Sequence, residues 1–399
     1  MSNKLNSASQ STQPIYRDMS LLIVVSVTLM EILGTMSVNP VLPGIAREFN
    51  LSPQQIGWVT TAFVIPIAIG GPICGVLADR FGRKPILVPS LFLFAMTGVA
   101  CAFAPSFQVL LALRFLQGIG AASLEALPLA LLGDLYTGKQ LTAAVGFNAS
   151  AIGLSLAVYP LLGGGLASMG WRHAFALPLV ALLVGIWLWR SLRLPQHQPL
   201  ADFNLWVYLR TIWSSLRRGR VMRLLFIVVA LFVLLFGAYL TYIPTVADSL
   251  GASEIEIGIL LASMAVFFAF TSSQLGWLTR SLSELTLIKI AFSIYTLALI
   301  ITPSIDRIWM LLIPSVLFGI AHGIVYPTTQ ALLAELAPNH NRAGFMAVVA
   351  IAIPLGQAIG PVLGGLAFGA WEIRGVFYAG MFLAIATLAS LNYLIPRPR

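Results

Sequence analysis

Between Gln55 and Leu77 the chain runs 23 residues without a charge, and after one short polar turn it runs another 29, from Pro85 to Leu113. About 20 apolar residues in a helix cross the hydrocarbon of a bilayer. Lipid offers a bare backbone no hydrogen bonds, so runs of this length must satisfy their own peptide groups as helices. The pattern recurs down the whole chain. Spans are expected near 20–41, 56–78, 85–104, 107–132, 140–166, 173–192, 222–246, 255–279, 285–303, 308–333, 342–368 and 374–395. With 58% apolar and 9% charged residues and a mean hydropathy of +0.91, the 399-residue chain is read as a polytopic membrane protein.

The net charge of +9 would suit a nucleic-acid partner, but its placement excludes one. With the N-terminus inside, 18 of the 23 Lys and Arg fall on cytoplasmic segments. Arg47, Arg172, Arg307 and Arg374 fall on the other side, and Arg114 lies within a span. This asymmetry is topology, with both termini cytoplasmic and anionic lipid headgroups as the partner of the basic face. Cys74 and Cys101 both sit in apolar spans and read as small packing residues, so no disulfide is expected. Residues 1–19 are polar, lack the apolar core of a cleavable signal and read as a disordered cytoplasmic tail.

Comparing the two halves at one offset exposes a repeat. Pro43 and Pro244 are 201 apart (244 − 43), and so are Gly57 and Gly258, Gly75 and Gly276, Gly118 and Gly319, Pro160 and Pro361, Gly163 and Gly364, and Asp134 and Glu335. Glycine and proline coincidences at one spacing mark duplicated bundles. The expected domains are a first six-helix bundle over 20–192, a basic cytoplasmic linker over 193–221 and a second bundle over 222–399.

The turn between the second and third spans reads GVLADRFGRK from Gly75 to Lys84, with Asp79, Arg80, Gly82 and Arg83 inside it. The fourth span carries RFLQGIGAA from Arg114 to Ala122, with Gln117 within it. Together these resemble the loop 2–3 and helix 4 signatures of the major facilitator superfamily, the twelve-helix secondary transporters. The resemblance implies an all-α membrane protein of twelve transmembrane helices in two pseudo-symmetric six-helix bundles. It also implies a conformational switch made of Gly75, Asp79, Arg80, Gly82, Arg83 and Asp134, which closes the cytoplasmic side in one state, and it associates Arg114 with proton transfer.

Glu31 sits midway along the first span, ahead of Asn39 and Pro43. A carboxylate this deep is costly, and a functional role is the default reading. Its position resembles that of the acid in some multidrug:proton antiporters. Glu125 follows Arg114 by 11 residues, which returns it to within about 20° of the same helix face but roughly 16 Å further along, too far for one ion pair. Glu31, Arg114 and Glu125 are therefore the expected proton-coupling residues. A structural ion pair or hydrogen bond is the competing reading for Glu31, and a purely structural arginine for Arg114.

The antiporter seam G-x-x-x-G-P-x-x-G-G is complete in the eleventh span, with Gly356, Gly360, Pro361 and Gly364. In the fifth only Pro160, Gly163 and Gly164 remain, behind Ser155 and Tyr159. Glycine and proline there supply a kink and a close-packed seam. The expected substrate pocket comprises Asn39, Gln117, Tyr239, Tyr242, His322, Tyr326 and Gln357.

The chain lacks H-E-x-x-H, G-x-S-x-G and phosphate-loop motifs, which leaves an enzyme without support. The expected function is export of a small lipophilic compound, neutral or cationic, in exchange for protons by alternating access. No cofactor is expected, the proton gradient being the energy source. A monomer in a bacterial inner membrane fits the short loops. The altered fifth span keeps a metabolite carrier for a sugar, amino acid or siderophore, by symport or uniport, as the alternative.

Overall fold

The computed structural model describes residues 15–192, 194, 219–336 and 342–394. Eleven helical segments among them are long and apolar enough to cross a membrane: α1 (Met19–Glu48), α2 (Pro53–Phe81), α3 (Arg83–Cys101), α4 (Phe107–Leu135), α5 (Gly138–Ala167), α6 (Trp171–Ser191), α7 (Val221–Ser249), α8 (Glu254–Ser273), α9 (Glu284–Ser304), α10 (Ile308–Leu336) and a last one of 41 residues, Ile351–Leu391. The last is two spans. It belongs to a helical stretch, Arg342–Leu394, broken at Trp371 (φ −142°, ψ 30°) and Glu372 (φ 55°, ψ −150°), so α11 covers 342–370 and α12 covers 373–394. Each expected span has its helix, and the two-bundle reading has its twelve.

Boundaries follow local chemistry. Asp18 caps α1 by accepting from the Ser20 amide at 2.9 Å, and it also accepts from the Tyr136 hydroxyl at 2.7 Å, which pins the start of α1 to the end of α4. Burial and the Asp18 carboxylate push the Tyr136 phenol above its ordinary range. Ser253 and Glu256 form a capping box at the start of α8. Gly82, at φ 93°, makes the reversal between α2 and α3 that only a residue without Cβ adopts freely. Two expectations shift. Ile15–Arg17 form one turn of 3₁₀ helix within the expected tail. The eighth span ends at Ser273, and Leu275–Ser281 continue as a separate short helix. Residues 1–14 and most of the expected linker, 193–221, lie outside the described residues.

Both halves pack by one plan. In the first, α4 lies against α2 and α3, α3 against α6, and α1 against α5; in the second, α10 lies against α8 and α9, α9 against α12, and α7 against α11. The repeat holds to single atoms. A Cβ on Gly118 would overlap the carbonyl oxygen of Phe63, and a Cβ on Gly319 would overlap that of Met264. Both members of that contact are 201 apart (319 − 118 and 264 − 63). Lipid gives helices no hydrophobic reason to associate, so close backbone approach through small residues carries the packing.

The halves meet along two seams, α2 with α11 and α5 with α8. The seams are two-fold mates. A Cβ on Gly57 would lie 2.9 Å from the Pro361 Cβ, and one on Gly258 would lie 2.7 Å from the Pro160 carbonyl oxygen; here too both members are 201 apart (258 − 57 and 361 − 160).

Candidate functional site

Each seam is tight at one end and splayed at the other. In α5, Gly164 is pressed against Glu254 of α8, whereas Gly153 and Gly146 meet nothing within 4 Å. In α2, Gly57 touches Pro361, whereas Gly75 meets nothing within 4 Å. The tight end is also laced by hydrogen bonds between the halves: Thr61 Oγ1 donates to the Ala358 carbonyl at 3.1 Å and the Tyr242 hydroxyl to that of Pro53 at 3.2 Å. Arg47 binds Asp248 there, and its Nη2 lies 2.8 Å from Glu254 Oε1. The molecule is thus a wedge, shut opposite the α2–α3 turn and open at the end that carries it.

The spans put few charges into this wedge. α2 carries none from Gln55 to Leu77, α3 none from Pro85 onward, α5 none beyond Lys139, and α7, α8, α10 and α11 none in their middles. What remains at depth is Glu31, Arg114 and Glu125, all in the first half, with His322 in the second.

Glu31 is half-buried and Glu125 is exposed. Glu31 on α1 feels the charge of Glu125 on α4. Two acids facing one another in a low-dielectric cleft repel unless a proton or a cation comes between them.

Arg114 does not join them. It is 1% exposed, donates from Nη1 to the Gly34 carbonyl at 3.0 Å and to Gln117 Oε1 at 2.8 Å, and from Nε to the Val59 carbonyl at 3.3 Å. Its guanidinium lies 4.2 Å from the Phe63 ring centroid. One side chain therefore ties α1, α2 and α4 together from α4 itself.

Across the cleft stands an aromatic wall. Tyr326 is half-buried and stacks on the imidazole of His322, with ring centroids 5.7 Å apart and planes 9° off parallel. Phe232 meets His322 edge-on at 5.7 Å and Phe268 lies 5.3 Å from it. Behind them the Tyr295 hydroxyl is 2.9 Å from His322 Nδ1. The charge of Glu125 is also felt at Tyr326.

The remaining expected pocket residues divide. Gln357 is half-buried on α11. Asn39, Gln117, Tyr239 and Tyr242 are at most 1% exposed, and so lie behind the cavity surface in this conformation. Tyr239 donates to the Leu260 carbonyl at 3.0 Å and stacks on Phe318 at 4.9 Å; Tyr242 holds the closed end. The expected seam is distributed as follows: Gly356, Gly360 and Gly364 pack on α7, Pro361 faces α2, Gly163 packs on Ser37 of α1, and Pro160 and Gly164 face α8. At the α2–α3 turn Arg83 bridges two acids, with Nη1 2.5 Å from Asp79 Oδ1 and Nε 3.1 Å from Asp134 Oδ2. Arg80 lies over the Phe81 ring.

Sequence reasoning missed Tyr295, for which no motif speaks. It also missed the pairing of Arg47 with Asp248, although their equal repeat position was available as a signal.

Two six-helix repeats about one axis, with ionisable groups at depth between them, define a secondary transporter. The Major Facilitator Superfamily model matches residues 24–305 and 243–399, and the chain belongs to that family: it is an integral multi-pass membrane transporter of small molecules rather than an enzyme. It is 25% identical over 388 residues to Multidrug resistance protein 1 of Bacillus subtilis, covering 95% of this chain and 97% of that one. It is 24% identical over 361 residues to the class H tetracycline resistance protein of Pasteurella multocida, covering 86% and 88%. Among solved structures, an inward-facing bacterial homolog of the human lysosomal transporter Spinster superposes with a TM-score of 0.74 at 19% identity, covering 96% of each chain.

Proposed function

We propose that the protein exports a small lipophilic compound, neutral or cationic, in exchange for protons by alternating access. The observation that carries this reading is the presence of Glu31 and Glu125 at depth in the first half, with an aromatic wall of Phe232, Phe268, His322 and Tyr326 in the second. Aromatic faces bind lipophilic bodies and attract cations, and a carboxylate pair accepts either a positive charge or a proton but gains little from both at once. Exchange follows when that competition differs between the two access states, since only differential affinity can drive a conformational equilibrium. The relatives named for drug and tetracycline resistance favour the same reading.

The termini and the open end of the wedge then face the cytoplasm, by the positive-inside distribution, and the conformation is inward-facing. The protein works as a monomer in a bacterial inner membrane, without a cofactor. Arg83 with Asp79 and Asp134 forms the charge network that α11 engages when the cytoplasmic side closes. The alternative, a metabolite carrier, draws on Ser155 and Tyr159 replacing two glycines of the antiporter seam in α5.

The test is transport in proteoliposomes of a lipophilic cation such as tetraphenylphosphonium, beside a sugar and an amino-acid panel, with and without an imposed pH gradient. Gradient-driven cation movement that Glu31→Gln and Glu125→Gln abolish supports exchange. Movement of a metabolite indifferent to the gradient and to both substitutions refutes it.

A further inference from the structure

In the middle of α10 the second half places one imidazole, and a single hydroxyl decides which of its nitrogens carries the proton. His322 lies among Phe232 of α7, Phe268 of α8 and Tyr295 of α9, with Tyr326 stacked on it one turn along α10. Four rings around it, and no carboxylate bonded to it among the described residues, leave the imidazole neutral. It then has one N–H and one bare nitrogen. Tyr295 is fully buried, and its hydroxyl, 2.9 Å from Nδ1, bonds nothing else among the described residues. A proton on Nδ1 would donate to the phenolic oxygen and strand the phenol's own O–H without an acceptor, a costly orphan. With the O–H donating to Nδ1 instead, the imidazole proton sits on Nε2. That nitrogen makes no bond among the described residues and yet is not buried, so it belongs to the small exposed part of His322. Since α7, α8 and α9 close the other sides of α10, the exposed part opens on the cleft.

We infer that His322 is the specificity-determining residue of the second half: Tyr295 locks its tautomer so that Nε2–H is offered to the cleft, and the compound carried bears a hydrogen-bond acceptor, a carbonyl or ether oxygen on an aromatic body, at the end away from Glu31 and Glu125. This deepens the proposed export of a lipophilic compound and rests on it. Phe232, Phe268 and Tyr326 receive the aromatic body, and Nε2–H is the donor set among their rings. An ammonium brought to the same place would meet proton with proton, which directs a cationic end to the acids of the first half. A site built to hydrogen-bond a substrate rejects the analogue that lacks the group, because its own polar atom is then left unpaired.

Tyr295 is a positioning residue in this scheme and is itself held. Its ring stands edge-on to Phe318 at 4.9 Å and to Phe292 at 5.9 Å, and Tyr239 stacks on Phe318 at 4.9 Å. The duplicated half shows that packing alone needs neither group. Tyr295 and His322 correspond there to Phe94 and Ala121 (295 − 94 and 322 − 121 are both 201), and both of those are fully buried. The same ring packs in the first half with no hydroxyl, where there is no imidazole for a hydroxyl to orient. Hydroxyl and imidazole are thus present together in one half and absent together from the other.

The experiment compares two lipophilic cations, para-acetylphenyl(triphenyl)phosphonium and its para-isopropenyl counterpart, which match in charge and shape and differ in one carbonyl oxygen. Their affinities are measured on the purified full chain in nanodiscs for the wild type, His322→Phe and Tyr295→Phe. The wild type should bind the acetyl compound about three- to tenfold more tightly, the contribution of one neutral hydrogen bond. His322→Phe should bind the two alike. Tyr295→Phe keeps the ring and frees the tautomer, so the preference should fall to about twofold or less. Loosened packing alone would lower both affinities together and leave their ratio intact. A wild type that binds both compounds equally overturns this inference alone, as does a preference that survives His322→Phe. Efflux of both cations from proteoliposomes, with and without an imposed pH gradient, is read beside the affinities. A preference for the acetyl compound with no response to the gradient overturns proton exchange and supports the role of His322. A wild type that binds neither cation overturns the export of lipophilic cations, and this inference with it.

Discussion

Arg47 and Asp248 occupy the same position of the two repeats (248 − 47 = 201) and form an ion pair with each other. A residue and its own two-fold mate meet only on the axis, so this pair marks where the pseudo-symmetry axis leaves the closed end. Identical ionised residues there would repel; the repeats have diverged to opposite charges at that position. Glu254 breaks the symmetry by adding a second acid to Arg47 at 2.8 Å.

Removing Arg47 should loosen the closed end. Its side chain is 55% exposed, and exposed pairs contribute about 0–1 kcal/mol each, so Arg47→Ala should raise the population open at that end several-fold. Spin labels at Ser52 and Ser249 would report it as a longer distance, and the swap R47D/D248R should return most of the short one. An unchanged distance distribution in Arg47→Ala would show that the seams alone hold the end shut.

The seam itself predicts a contrast within one helix. A Cβ on Gly164 collides with Glu254, while one on Gly153 meets nothing within 4 Å. Gly164→Ala should cost about 1–3 kcal/mol through overpacking, and Gly153→Ala should be neutral or stabilising by up to about 1 kcal/mol. Thermal unfolding in detergent separates the two; equal melting temperatures would contradict the packing argument.

Arg114 is held by two backbone carbonyls, an amide and an aromatic face. Arg114→Lys keeps the charge but cannot fill the planar fork, so it should lower stability by about 2–4 kcal/mol. A variant that melts like the wild type yet fails to transport would assign Arg114 to the transport cycle instead of to the fold.

Arg83→Ala should leave folding within about 1 kcal/mol of the wild type, because its partners Asp79 and Asp134 are 34% and 43% exposed. Transport should fall by far more than that stability change explains. Parallel losses in melting temperature and rate would reduce the cluster to a structural tether.

The positions of the spans, their number and the two-fold plan were legible because each rests on a local rule. A charge or an open backbone in lipid is too costly to tolerate, so charge-free runs mark helices wherever they fall. Glycines at one spacing mark the same close contact twice, as Gly118 on Phe63 and Gly319 on Met264 demonstrate. The depth of Glu31, Arg114 and Glu125 could be counted along their helices in the same way.

The direction of each polar group about its helix axis was not legible. A helix apolar on every side has no periodicity to mark its inner face, so Tyr239 and Tyr242 gave the same signal as Tyr326, though the first two are buried and only the third reaches the cleft. Tyr295 meets His322 from another helix, and Arg47 finds Asp248 in the other half. Such contacts depend on how neighbouring helices are rotated and tilted, and many packed backbones fix that jointly. The sequence by itself therefore determined the spans, the repeat and the buried charges, each priced residue by residue against lipid; the tertiary structure alone decided which of those groups face one another, because orientation is a property of the packing.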